Sequence, residues 1–188
     1  MSSTAQSRQL SAYATEYGTF IGLAWIVVFA LFIVGLRTWA AFPLFLGTLL
    51  FICLPVLPCY FAWRWRKRTG ETAIGYGRAF FFCLLMMMYT CLLTAAVEFV
   101  YFRWMDHGAV MASLDAFISS PDLRAAYQQL GMSQQLDQLD DALSQVKSWS
   151  VSDLVVSLLN QNIFISIINC ILAACFAVKR VHINENEK

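Results

Sequence analysis

One acidic residue stands inside an otherwise uncharged apolar stretch: Glu98 in "LTAAVEFVYFRW". A carboxylate in hydrocarbon costs about 2.5 kcal/mol or more, so it is retained where it holds a proton or cation, or where it reaches water or a basic group. At 1.5 Å per residue counted from Ala79, Glu98 lies at roughly 28 Å, near the far end of its stretch. Water, Arg103 or Arg37 are then its expected partners. Asn162, Ser166 and Asn169 recur at spacings of four and three in "NIFISIIN", which places them on one helical face. Side chains of this kind hold helices together in lipid at roughly 1 kcal/mol apiece. With Glu98 they form the candidate polar intramembrane site, and Thr90 and Thr94 are the polar residues available to face them.

Other reactive residue types are sparse. His107 beside Asp106 is not a dyad by itself, because neighbours on a helix point in different directions, and an interface loop is the expected role. His182 is the only other histidine. Cys53, Cys59, Cys83, Cys91, Cys170 and Cys175 all fall in apolar stretches without metal-ligand clustering. They are expected to pack as small apolar residues. No zinc-ligand helix, nucleophile elbow or phosphate-cradling glycine loop is present, and "IGYG" is too short to be one. No catalytic residue, metal ligand or cofactor is therefore expected.

The elements that would position these residues follow from composition. Hydrophobic residues make up 59% of the 188, above the roughly 45 to 50% of soluble domains. Charge is absent between Glu16 and Arg37, from Thr38 to Ala62, from Ala79 to Val97 and from Leu154 to Val178. Each run meets the roughly 20 residues needed to cross the hydrocarbon, and lipid forces each to satisfy its own backbone hydrogen bonds as a helix. The expectation is an all-α integral membrane protein, a four-helix bundle in one domain over residues 1–188. Its spans run at about 17–36, 39–62, 79–102 and 155–178, and an extracytoplasmic helical insertion covers 103–153. Residues 1–14 read as a flexible polar lead, and the first run reads as a span rather than a cleavable signal.

Gly18 and Gly22 have the spacing that lets another backbone approach, within the chain or from a second copy. Pro55 and Pro58 should kink the second span, as a static bend or as a hinge. The loop "RWRKRTGETAIGYGR" carries Arg64, Arg66, Lys67, Arg68 and Arg78 against Glu71, and Lys179 and Arg180 follow the last span. By the positive-inside rule both regions, and both termini, face the cytoplasm. Trp63, Trp65, Tyr76 and Phe80 would mark the inner interface, with Trp39, Tyr101, Phe102, Trp104 and Trp149 at the outer one. Net charge is only +1, so no nucleic-acid partner is implied.

The outward segment has soluble-helix grammar. Ser120, Pro121 and Asp122 start one helix, Gly131 ends it, and Ser133 is placed to cap the next. In that next helix Met132, Leu136, Leu139, Leu143 and Val146 recur at spacings of four, three, four and three. This stripe either packs within the loop or binds a partner.

In order and spacing, "RKRTGETAIGYGRAFF", "YFRWMDHG", "GMSQQLDQLDD" and "AVKR" resemble the bacterial four-span membrane family known as domain of unknown function 4199, over roughly Arg64 to Arg180. The resemblance implies the inner membrane of a two-membrane envelope and supplies no activity. The expected role is that of a non-enzymatic accessory or scaffolding subunit for a partner membrane protein, or of a self-associating one. The alternative is a small oligomeric transporter or channel using Glu98, Asn162, Ser166 and Asn169. An enzyme acting on lipid-linked material through Glu98, Asp106 and His107 is the weakest class.

Overall fold

The computed structural model describes residues 3–69 and 74–178. Glu71, Lys179, Arg180 and His182 lie outside the described residues. Helix α1 (Ser3–Thr38) is followed by α2 (Ala41–Cys53), α3 (Val56–Arg68) and α4 (Tyr76–Val100). A π-helical turn (Tyr101–Met105) extends α4, then come α5 (Ala109–Ile118), α6 (Pro121–Gln129), α7 (Ser133–Lys147) and α8 (Val151–Ala177). No strand occurs among the described residues. Four helical stretches are long and apolar enough to cross a membrane: Arg8–Thr38, Ala41–Arg68, Tyr76–Met105 and Val151–Ala177.

The first helix begins well before the expected span. Leu10, Ala14, Tyr17 and Ile21, at spacings of four, three and four, are buried in the core, so the polar lead is helix that continues the packing face of the span. α1 lies between α2 and α4, α4 packs on α8, and α8 packs on α3. The second span changes neighbour along its length, because α2 rests on α1 while α3 rests on α8. The break at Leu54 and Pro55 makes this possible. Pro55 and Pro58 have no N–H for the carbonyls of Phe51 and Leu54. Those oxygens instead accept from Leu54 N at 3.3 Å and Leu57 N at 3.1 Å, tightening one turn rather than leaving unpaired groups in lipid.

The main buried cluster lies toward the end that carries the basic α3–α4 connection. There Ala62, Ala79, Cys83, Cys170, Ala173, Ala174 and Ala177 let the backbones approach, and Trp65 stacks on Phe82 with ring centroids 4.2 Å apart. Trp65 is thus a core residue, not a headgroup anchor. Trp63 is only half-buried, with Lys67 Nζ 3.7 Å above its ring. Arg66 donates to Val178 O at 3.2 Å and so caps α8 from α3. Among the described residues the six cysteines are free thiols, three of them buried.

The Gly18–Gly22 pair serves the α1–α4 contact inside the chain. A Cβ on Gly18 would stand 2.5 Å from Met86 O, and one on Gly22 would stand 2.8 Å from Leu93 Cδ2. Thr90 uses this proximity to donate to Gly18 O at 3.0 Å. Further along, Phe29 packs edge-on against Tyr101 and Phe102, and the two helices part.

Candidate functional site

Glu98 belongs to a face of α4 with a helical period: Met87, Cys91, Thr94 and Glu98 are all buried. Glu98 is 7% exposed, and its Oε1 accepts from Asn162 Nδ2 of α8 at 3.3 Å. Its Oε2 is buried without a hydrogen-bond partner among the described residues. The carboxylate therefore meets an amide inside the α4–α8 seam rather than Arg103 or Arg37. The reason lies in direction: Glu98 faces α8, whereas Arg37 sits at the end of α1, against the other side of α4. Seven residues separate Glu98 from Met105, about 10 Å of helix at 1.5 Å per residue. Glu98 thus sits in the part of the seam nearer the loop, while the basic end is filled by the small residues of the core.

Toward the basic end, Ser166 Oγ lies 3.3 Å from Cys91 Sγ, and Asn169 is buried two turns beyond Asn162. Thr90 and Thr94 do not extend this polar line. Thr94 donates to the carbonyls of Thr90 and Cys91, and Thr90 to those of Met86 and Gly18. The pair that α4 and α8 bring together is Glu98 with Asn162, with Ser166 and Asn169 on the same face of α8. One unpaired carboxylate oxygen beside one amide can exchange a proton or hold a small cation. Among the described residues, no three of His, Cys, Asp and Glu form a metal-holding group.

Asp106 and His107 build a turn. Asp106 is buried, its Oδ1 accepting from Tyr101 Oη at 3.2 Å and Val110 N at 3.1 Å, and its Oδ2 from Gly108 N at 3.1 Å. His107 takes φ 47° and Gly108 φ 80°, a left-handed pair that turns the chain from the π-helical segment into α5. The carboxylate, with a donor on each oxygen, anchors the start of the loop helices to the span. Sequence reading missed this role; the signal was an Asp two residues before a glycine, the pattern of a side chain closing a turn on its own backbone.

The stripe on α7 divides. Leu136 and Leu143 are buried, at 4% and 9% exposure, where α7 packs on α5 and α6. Val146 is half-buried, while Met132 and Leu139 stay exposed at 37% and 42%, as does Leu130 at 71%. Ion pairs close the loop on itself, Arg124 with Asp140 at 2.8 Å and Lys147 with Asp115 at 2.6 Å. Gly131 ends α6 with φ 68°. Met132, rather than Ser133, occupies the cap position of α7. The full capping box is elsewhere, at the start of α8: Ser150 Oγ accepts from Asp153 N at 3.2 Å, and Asp153 Oδ2 from Ser150 N at 2.9 Å. Trp39 stacks on Phe117 of α5 at 4.2 Å, tying the loop to the α1–α2 turn.

Four apolar helices and a helical loop pinned across one end define a multi-pass helical membrane protein. Within that class, a family model described as a protein of unknown function (DUF4199) matches residues 16–179, and the chain belongs to this family. The match takes in the first two spans, which the sequence motifs had not reached. No curated protein and no solved structure matches the chain.

Proposed function

We propose that this chain is a non-enzymatic accessory or scaffolding subunit of a bacterial cytoplasmic membrane, with both termini inside, that holds a partner membrane protein through its outer loop. The observation that carries this reading is the apolar side chains left uncovered on the loop, Leu130, Met132 and Leu139. Exposed apolar side chains on a helix spanning hydrocarbon need no explanation, but α6 and α7 are polar, water-side helices. On this reading these uncovered apolar side chains are the surface that the partner covers. The test is Leu139→Asp, since Leu139 projects outward whereas Leu143 supports the loop's own core. Isolation in mild detergent should show a stoichiometric partner with wild type and its loss with Leu139→Asp, at unchanged membrane insertion. An unchanged set of partners overturns the reading.

The second reading, a small transporter or channel, is favoured by the unpaired Oε2 of Glu98 beside Asn162. Under it, Glu98→Gln abolishes a proton or cation flux in liposomes. Intact flux in both Glu98→Gln and Asn162→Leu refutes it.

A further inference from the structure

Where α1 and α4 part beyond their glycine contact, they enclose a cleft of about 670 Å³. Its walls are apolar, with Ile26, Ile33, Val97 and Val100 among them, and its rim carries Arg37 and Thr38 at the end of α1. Ile26 to Thr38 is twelve residues, about 18 Å at 1.5 Å per residue, close to half of the roughly 30 Å hydrocarbon thickness. The cleft therefore has the depth of one leaflet. It opens sideways, since Val34 and Val100 on its walls are half-exposed at 50% and 47%.

The charge at the rim matches this geometry. Arg37 is exposed, lies beside the Tyr101 hydroxyl and has no ion-pair partner among the described residues. The acid closest in the network, Asp106, is already engaged by Tyr101, Gly108 and Val110. A guanidinium at headgroup level above an apolar slot one leaflet deep fits an anion joined to an alkyl chain.

We propose that the α1–α4 cleft binds one glycerophospholipid with an anionic headgroup, an acyl chain lying against Ile33 and Val97 and the phosphate on Arg37. The site uses no residue of the outer-loop contact surface, so it stands or falls separately from the scaffold reading.

The full chain in mild detergent would be titrated with phosphatidylglycerol, phosphatidylcholine or inorganic phosphate, following thermal unfolding and the lipid retained per chain in native mass spectrometry. One phosphatidylglycerol should be retained per chain, bound severalfold more tightly than phosphatidylcholine, whose choline cation offsets the phosphate charge that meets Arg37, and inorganic phosphate should leave the unfolding temperature unchanged. Arg37→Gln should erase the headgroup preference. Ala30→Phe or Val34→Trp, at exposed cleft positions, should abolish retention while helix content is kept. Equal affinity for the two lipids, a preference that survives Arg37→Gln, retention in both filled variants, or equal stabilisation by inorganic phosphate each overturns the proposal.

Discussion

Gly18 and its neighbour Tyr17 show how differently adjacent positions are constrained. Gly18 lies where a Cβ would stand 2.5 Å from Met86 O, and its own carbonyl takes the Thr90 hydroxyl at 3.0 Å. Gly18→Leu should therefore lower stability by about 1–3 kcal/mol, the usual cost of overpacking, read from a denaturant titration in detergent. Tyr17 stacks on Phe61 with centroids 4.8 Å apart, but its hydroxyl is buried without a hydrogen-bond partner among the described residues. Tyr17→Phe keeps the ring and removes the unsatisfied group, so stability should hold or rise; a loss above about 1 kcal/mol would show that the hydroxyl has a partner. The Gly18–Gly22 spacing was legible in the sequence, but not whether the surface met by it belonged to this chain or to a second copy. Glu98 was legible as an anomaly, whereas its partner was not. Asn162 and the two arginines were all within plausible reach, and only the rotation of α4 about its axis decides among them.

At the scale of elements, the turn after α4 joins the third long apolar stretch to the short helices of the loop. The π-helical segment lets Asp106 N bond Tyr101 O at 3.0 Å, and the Asp106 side chain then collects Val110 N and Gly108 N. Asp106→Ala should leave these donors without an acceptor, a loss of about 2 kcal/mol or more. The unfolding it causes should be local: protease cleavage within residues 109–147 should rise while the spans stay inserted. Protection equal to wild type would mean that the loop is held without this turn, by contacts such as the Trp39–Phe117 stack and the loop's own ion pairs. The second span teaches a related lesson. Two prolines announce a break, yet what the break achieves, a change of packing partner from α1 to α8, depends on where those helices stand.

Across the whole molecule, packing is uneven. The basic end is closed by alanines, cysteines and the Trp65–Phe82 stack, whereas the loop end opens into the α1–α4 cleft. Hydrophobic burial drives little helix association in lipid, so close packing concentrates where small residues allow it and slackens where the larger Phe29 and Ile33 line the cleft. Orientation is the property on which the proposed role depends. A reporter active only outside the cytoplasm should give a signal at residue 140 and none at residue 178. The reverse pattern would invert the proposed topology and put the α7 surface and Arg37 on the opposite side.

Length and polarity were enough to establish four lipid-crossing helices and the helical character of the segment between the third and fourth, because the bilayer imposes a minimum run of apolar residues and forbids an unpaired backbone. Tertiary structure alone decided which faces meet: that Glu98 turns to Asn162, that Leu136 and Leu143 are used within the loop while Leu139 is left outside, and that α1 and α4 part around a slot ending at Arg37. The physical reason is that in lipid almost every face of an apolar helix is equally at home. Its rotation and neighbours are then set by a few small residues and polar contacts distant in sequence, whose pairing no local pattern encodes.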